Sequence, residues 1–119
     1  MSEQKIILKE KSFAFAIRIV KLSRYLAETK KEFVLTKQLL RSGTAIGALI
    51  REAQNAESTK DFIHKLSIAQ KECDETIYWL ELFKGIDFLT EKEFESINNE
   101  AIELLKMLRS AIITSKKNS

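Results

Sequence analysis

The chain contains no proline and only three glycines among its 119 residues. An all-β domain of this length needs tight turns at many corners, and those turns draw on proline and glycine. The composition therefore favours helices joined by a few short links. Hydrophobic residues at 45% and charged residues at 31% give an ordinary globular balance. We predict a single all-α domain over residues 1–119.

Apolar residues recur at helical spacing in four segments, which we predict as helices over residues 8–29, 33–56, 59–84 and 91–115. A helix that packs on one neighbour needs a single apolar stripe. The first segment carries two adjacent stripes, so we expect it to be covered on two sides, by its own bundle and by another subunit. One stripe is formed by Phe13, Ala16, Ile17 and Val20, and the other by Phe15, Ile19, Leu22 and Leu26.

The centre of the second predicted helix, residues 42–48, is rich in small residues and contains Gly43 and Gly47. Each glycine costs up to about 1 kcal/mol relative to alanine inside a helix, so this segment could also be a loop. The apolar positions 39, 46 and 53 keep heptad spacing across it, which favours one continuous helix. Its small residues would then permit the close approach of another helix.

Short-range signals mark the helix ends. Ser58 or Thr59 can cap the third helix, and Gly85 follows its last periodic residue as a C′ glycine would. The run Thr-Glu-Lys-Glu at residues 90–93 matches a capping box, and residues 116–119 are expected to form a frayed tail. Because short links leave consecutive helices antiparallel, we predict an up-down-up-down four-helix bundle.

Charge is distributed unevenly along the chain. The first 60 residues carry 12 Lys/Arg and 6 Asp/Glu, for a charge of +6, whereas the remainder carries 8 and 11, for −3. The positive field therefore belongs to the first half.

The single cysteine, Cys73, cannot form an internal disulfide, and no leader sequence precedes the first polar residues. No uncharged apolar run approaches the roughly 18 to 20 residues that cross a bilayer. We expect a cytoplasmic protein that does not enter a membrane.

A basic stripe on the first helix is the candidate nucleic-acid site. Arg18, Lys21 and Arg24 lie three residues apart, so they share one helix face and could neutralise phosphates. Lys60 and Lys65 of the third helix could extend this surface. The alternative is a solvated helix face without a ligand.

A second group of residues is expected to serve helix packing or subunit contacts. Charged side chains in it can fix the register of neighbouring helices, and aromatic ones can anchor an interface. The candidates are Arg41, Gly43, Gly47, Arg51, Glu52, Tyr78 and Trp79.

The sequence offers no catalytic constellation. His64 is the only histidine, and Asp61 three residues before it has no matching pair on another helix, as a di-metal bundle site would require. Cys73 lies on the predicted core face of its helix. We therefore expect a non-enzymatic protein with no metal, no cofactor and no small-molecule substrate.

Several of these segments resemble the bacterial four helix bundle protein family, which was first named for reading frames inside intervening sequences of large-subunit ribosomal RNA. The most specific part of the pattern is a small-residue centre in the second helix followed by a Lys-Asp-Phe start to the third. The matching segments are residues 11–16, 38–48, 51–53, 58–69, 75–76 and 78–80.

The resemblance implies an antiparallel four-helix bundle that assembles as a ring-like homopentamer. It also implies kinship with the accessory variability protein of diversity-generating retroelements, a basic pentamer that engages a reverse transcriptase and nucleic acid. Five copies of a chain with charge +3 would carry +15. On this basis the expected partners are further copies of the chain, RNA or DNA, and a reverse-transcriptase-like protein.

Two functions remain open at this point. The first is an oligomeric binding or scaffold protein that contacts nucleic acid, or a nucleic-acid enzyme, through its basic surface. The second is a purely structural or protein-interaction oligomer, whose basic first half complements the acidic second half of a neighbouring subunit. Pairing of Arg18, Lys21 and Arg24 with the acids of the fourth helix would favour the second.

Overall fold

The computed structural model describes residues 2–118 and contains four helices: α1 (Glu3–Glu28), α2 (Val34–Gln54), α3 (Thr59–Gly85) and α4 (Glu91–Lys117). Each helix packs against the next one along the chain, and α4 returns to contact α1, so that α1 and α3 lie diagonally opposite each other. The bundle measures 47 × 22 × 19 Å, and no strand is present within the described residues. The predicted all-α antiparallel four-helix bundle is confirmed.

Two helices extend beyond their predicted ends. α1 begins at Glu3 rather than near residue 8, because the Ser2 hydroxyl accepts the N–H of Lys5 at 3.3 Å and caps a polar first turn that apolar periodicity does not reveal. α4 continues to Lys117, so two of the residues expected in a frayed tail are helical. Their positive charges favour the carboxyl end of the helix dipole. Ser119, the last residue of that expected tail, lies outside the described residues.

Hydrogen-bonding side chains cap the helices at their amino ends. The Ser58 hydroxyl accepts the N–H of Asp61 at 3.1 Å, as expected for the third helix. Thr90 and Glu93 form the predicted capping box, with reciprocal hydrogen bonds of 3.1 and 2.9 Å. Both caps join residues three apart in the chain, which explains why the sequence pattern reveals them.

The cap of α2 comes from Glu32 and was not predicted. Its carboxylate accepts the N–H groups of Val34, Leu35 and Thr36 at 3.3, 3.1 and 2.8 Å. Partial burial raises the pKa of Glu32, but these backbone hydrogen bonds together hold the pKa below its ordinary value. The carboxylate therefore stays ionised where it satisfies the free amides of the helix end.

The prediction that Gly85 is the C′ residue of α3 is wrong. Gly85 is the last helical residue, and the left-handed position belongs to Asp87, with φ 64°. The N–H of Asp87 donates to the carbonyl of Lys84 at 3.0 Å, and that of Phe88 donates to Phe83 at 2.9 Å, which is a Schellman arrangement. The rings of Phe83 and Phe88 stack at 6.3 Å and provide its apolar contact. Aspartate tolerates this conformation better than most residues, so glycine is not required there.

Only one of the two apolar stripes on α1 enters the core. Phe15, Ile19 and Leu26 are fully buried, whereas Phe13 and Ile17 remain 55% and 43% exposed. The outward stripe is left uncovered because α2 and α4 both approach α1 from the side of Phe15 and Ile19. The other fully buried large apolar side chains are Leu39, Ile46, Ile50, Leu66, Leu80, Phe83, Leu104 and Leu108.

The small-residue segment of α2 is one continuous helix, as predicted, and it packs closely against α1. A Cβ atom placed on Gly43 would lie 2.7 Å from a methyl group of Ile19, and one on Gly47 would lie 3.3 Å from the carbonyl oxygen of Ser12. Both glycines therefore serve helix packing inside the subunit. Gly85, in contrast, has open space around it.

A buried polar contact joins α2 to α3 in the centre of the bundle. The Thr76 hydroxyl lies 2.9 Å from that of Ser42, and it donates to the carbonyl oxygen of Glu72 at 2.7 Å. Both side chains are fully buried, so these hydrogen bonds offset the cost of removing their hydroxyls from water. The contact fixes the register between the two helices.

The glycine packing predicts opposite effects for two alanine substitutions. Gly43→Ala should lower the free energy of unfolding by about 1–3 kcal/mol, because the new methyl group overlaps the buried Ile19 side chain. Gly85→Ala should raise it by up to about 1 kcal/mol, because alanine favours the helix and meets no neighbour there. Urea unfolding monitored by circular dichroism measures both. Equal effects of the two substitutions would contradict the close α1–α2 contact.

Candidate functional site

The basic stripe of α1 is divided by its contacts. The Arg18 guanidinium pairs with the Glu100 carboxylate of α4 and also donates to the carbonyl and hydroxyl oxygens of Ser96, at 3.3 and 3.1 Å. This side chain joins α1 to α4 within the subunit. One member of the stripe is thus engaged by an acid of the fourth helix.

Lys21 and Arg24 are exposed, and neither contacts a carboxylate within residues 2–118. Lys21 lines a groove between α1 and the first turn of α4, where Lys92 is a second exposed cation. Lys21 and Arg24 form the part of the predicted stripe that a polyanion can reach.

The two lysines of α3 do not extend this surface. Lys65 pairs with Glu52 of α2 at 3.1 Å, whereas Lys60 is exposed and has no carboxylate partner in the described chain. Because α3 starts at the end of the bundle where α1 also starts, Lys60 lies far from Arg24 near the end of α1. The structure therefore does not bring the five predicted basic residues onto one continuous patch.

Arg41 is the centre of a polar cluster that joins α2 to α3. One guanidinium nitrogen contacts both carboxylate oxygens of Glu72 at 3.1 Å, and the other pairs with Glu75. Glu75 also accepts the indole N–H of Trp79 at 3.0 Å, and the Trp79 ring meets Tyr78 edge-on at 5.0 Å. Arg41 therefore holds the register of α2 on α3, and Trp79 supports it through its hydrogen bond to Glu75.

The pKa shifts of the charged groups in this cluster follow from the same contacts. The hydrogen bond from Trp79 lowers the pKa of Glu75 below its ordinary 4.5, with a further contribution from Arg41, against an opposing effect of burial. The hydrogen bonds that Arg41 donates to Glu72 and Glu75 raise the pKa of Arg41. The pairs thus favour the charged forms of both partners.

Ion pairs within the chain partly balance the charge asymmetry between its two halves. Lys11 and Glu103 join α1 to α4 at 2.7 Å, in addition to the pair of Arg18 with Glu100. Cations of the basic first half are therefore partly balanced by acids of the second half in the same subunit. This balance was expected between neighbouring subunits. The signal in the sequence is the heptad spacing of Lys11 and Arg18 beside the buried stripe.

An exposed apolar surface lies on the outward side of α1 and α2. We define the α1–α2 face by Phe13, Ala16, Ile17, Leu40, Thr44 and Ala48, which lie along the shallow groove between these helices or follow it at helical spacing. The Arg51 guanidinium lies over the Phe13 ring, 5.8 Å from its centre. Small side chains line the groove, so another helix can approach it closely.

The groups able to do chemistry are dispersed or buried. Cys73 is fully buried, its Sγ lies 3.2 Å from the carbonyl oxygen of Ala101, and burial raises the pKa of the thiol to about 12. The thiol is therefore protonated at neutral pH. His64 is exposed. Within residues 2–118 no cluster of three or more histidine, cysteine or acidic side chains is placed to hold a metal ion, and none of the four helices is long and apolar enough to cross a membrane.

Comparison with known proteins places this bundle in a family. A model described as 23S rRNA-intervening sequence protein matches residues 4–110, which is nearly the whole helical region. The chain belongs to the 23S rRNA-intervening sequence protein family. The predicted resemblance is therefore confirmed, and the matched region includes the α1–α2 face and the Arg41 cluster.

A solved structure supports the same assignment. A protein of unknown function from the S23 ribosomal protein family of Bacteroides thetaiotaomicron VPI-5482 is 52% identical, with a TM-score of 0.90. The match covers 92% of this chain and 97% of that one. A search of curated proteins found no match. The family is thus identified by sequence and by fold, while its similar solved member has no stated activity.

The Glu75 contacts predict a pH-dependent contribution to stability. A lowered folded-state pKa gives stabilisation that is complete above pH 4.5 and lost as the pH falls through the folded-state value. Glu75→Gln should therefore reduce stability by about 0.5 kcal/mol at pH 7, a value discounted for exposure of the pair, and the difference should vanish at low pH. Unfolding can be followed by the fluorescence of Trp79, the only tryptophan.

Glu81→Gln is the matched control, because Glu81 is exposed on the same helix and has no partner in the described chain. At each pH between 7 and 3 it should have the same stability and the same Trp79 fluorescence as the wild-type protein. A similar response of the two variants would contradict the role assigned to Glu75.

Proposed function

We propose that this protein is a non-catalytic scaffold that assembles into a homo-oligomer through the α1–α2 face. The observation that carries the proposal is the exposure of Phe13 and Ile17, a pair at i and i+4 on α1. About half of each side chain is still exposed, so its burial at a subunit contact would contribute about 0.7–1.5 kcal/mol. Contiguous apolar surface of this kind marks interaction sites on globular proteins.

The geometry also supports a ring. Closed rings form from head-to-tail contacts, which need two different surfaces on each subunit. Tyr78 is 56% exposed on α3, and α3 lies diagonally opposite α1. The α1–α2 face and the Tyr78 surface are therefore two different surfaces, as a head-to-tail contact requires. We propose a homopentamer, the stoichiometry that the resemblance of the sequence implies.

Substitutions on exposed positions test the assembly without disturbing the core. Phe13→Ser combined with Ile17→Ser should convert the oligomer to smaller species, measured by light scattering and sedimentation velocity. Ile113→Ser is the matched control, because Ile113 is equally exposed, at 55%, but lies on α4 outside the α1–α2 face. Tyr78→Ser should also weaken a head-to-tail ring. A wild-type protein that stays monomeric at high micromolar concentration would refute the proposal.

A second candidate function is nucleic-acid binding by the assembled scaffold. It is favoured by Lys21 and Arg24, which are exposed and have no carboxylate partner in the described chain, and by the family's association with 23S rRNA intervening sequences. Each subunit of a ring would repeat this pair of cations. Such a surface contacts phosphates and binds with little dependence on base sequence. Arg18 is excluded from this surface because it is held by Glu100.

Salt-dependent binding tests this second function. Fluorescence anisotropy with structured RNA and duplex DNA should show affinity that falls steeply with salt. The Lys21→Glu/Arg24→Glu variant should bind more weakly and, on duplex DNA, show a log–log salt slope shallower by about two for each contacting subunit. Lys71→Glu, an exposed lysine of α3 without a partner in the described chain, is the control. Absence of binding at low salt would refute nucleic-acid binding and favour an oligomer that interacts only with proteins.

A further inference from the structure

A cavity of about 350 Å³ opens at the end of the bundle where α1 begins and α4 ends. We call it the α1–α4 cleft. Phe62 and Leu66 of α3 form its back wall, and Leu8 of α1 and Met107 of α4 form its sides. This volume lies at the small end of the range for ligand-binding pockets.

The cleft exists because α1 and α4 form the loosest contact between neighbouring helices of the bundle. Farther along, polar bridges join the two helices, through Lys11 with Glu103 and Arg18 with Glu100. At the cleft itself Gln54 of α2, which also lines the cavity, holds the first turn of α1, because its side-chain amide donates to the carbonyl of Lys5 at 2.8 Å. The walls are therefore fixed while the space between α1 and α4 stays open.

The lining is apolar inside and positively charged at the mouth. Lys5 and Lys106 line the cleft, whereas none of the 17 acidic residues of the chain does. The Lys5 ammonium lies over the Phe62 ring, 4.9 Å from its centre, and Lys106 has no carboxylate partner in the described chain. Two cations thus face an apolar cavity without a counter-ion from the described chain. Ser110 and Thr114 of α4 add hydroxyl groups to the lining.

We propose that the α1–α4 cleft binds a small amphipathic monoanion, a carboxylate on an apolar tail. The tail packs against Leu8, Leu66 and Met107, and the carboxylate lies at the mouth between Lys5 and Lys106. Charge complementarity selects this class, because an amine would meet two cations and a neutral hydrocarbon would leave both lysines without a counter-charge. No reaction is involved, and the proposal does not depend on oligomer assembly or on nucleic-acid binding.

Titration of the full chain with sodium decanoate tests the proposal. Amide shifts in ¹H–¹⁵N spectra should saturate and be confined to residues around the cleft. Decylamine, with the same tail and the opposite charge, should bind at least tenfold more weakly, and butyrate, with the same charge and a short tail, should not saturate. Equal binding of decanoate and decylamine would overturn the proposal, as would saturable decanoate shifts elsewhere on the bundle.

Substitutions test the charged mouth and the apolar interior of the cleft separately. Lys5→Gln/Lys106→Gln should weaken decanoate binding about tenfold and remove its salt dependence, and because both lysines are exposed the fold should persist. Lys92→Gln, an exposed lysine elsewhere on α4, is the matched control and should leave binding unchanged. Ala111→Phe should fill the cleft and abolish binding. Unaltered affinity in the lysine double variant would overturn the proposal even if Ala111→Phe fails to fold.

Discussion

The close contact between α1 and α2 determines how the rest of the molecule is arranged. Gly43 has no side chain, and the buried Ile19 occupies the space where a Cβ atom would lie. This contact brings the two helix backbones together and sets the rotation of α1 about its own axis. With that rotation Phe15 and Ile19 point into the core, and Phe13 and Ile17 point into solvent. The apolar surface proposed for assembly is thus a direct consequence of how α1 packs.

The packing of the helices also determines which charged side chains form ion pairs. Antiparallel neighbours bring Arg18 to Glu100 and Arg41 to Glu72, so a charge asymmetry that is large in the sequence is partly cancelled inside one subunit. Exposed ion pairs of this type contribute little to stability, but they specify helix register. The cations that remain available to a partner are those without an acid opposite them. Lys21 and Arg24 are in this position near one end of α1, and Lys60 near the other end of the bundle.

The contacts between neighbouring helices differ in kind around the bundle. α2 packs against α1 through small residues and against α3 through a buried hydroxyl pair, whereas two ion pairs bridge α1 and α4. The contact between α1 and α4 is also less extensive than the contacts between the other neighbouring helices. Grooves flank the polar bridges at both ends of this contact, one beside Lys21 and one beside Lys106.

The helices of this protein could be predicted from the amino-acid sequence, because the signals concerned are local. Apolar spacing predicted four helices, the Thr90–Glu93 pattern predicted a capping box, and heptad spacing predicted that α2 continues through its two glycines. Each depends on residues within one or two helical turns. Family membership was recognisable for the same reason, since its most specific pattern lies in the second helix and the start of the third.

Which surfaces remain exposed to a partner depends on the tertiary structure. Both stripes of α1 have helical spacing and similar hydrophobicity, so only contact with α2 and α4 distinguishes the buried stripe from the exposed one. Likewise, Arg18 and Lys21 look equivalent in the sequence, and an acid 82 residues away from Arg18 makes them different. Asp87 in a left-handed conformation and Glu32 as a helix cap could not be read from residue type, because other residues fill those positions more often. Long-range contacts, and not local propensity, select among faces that the sequence leaves equivalent.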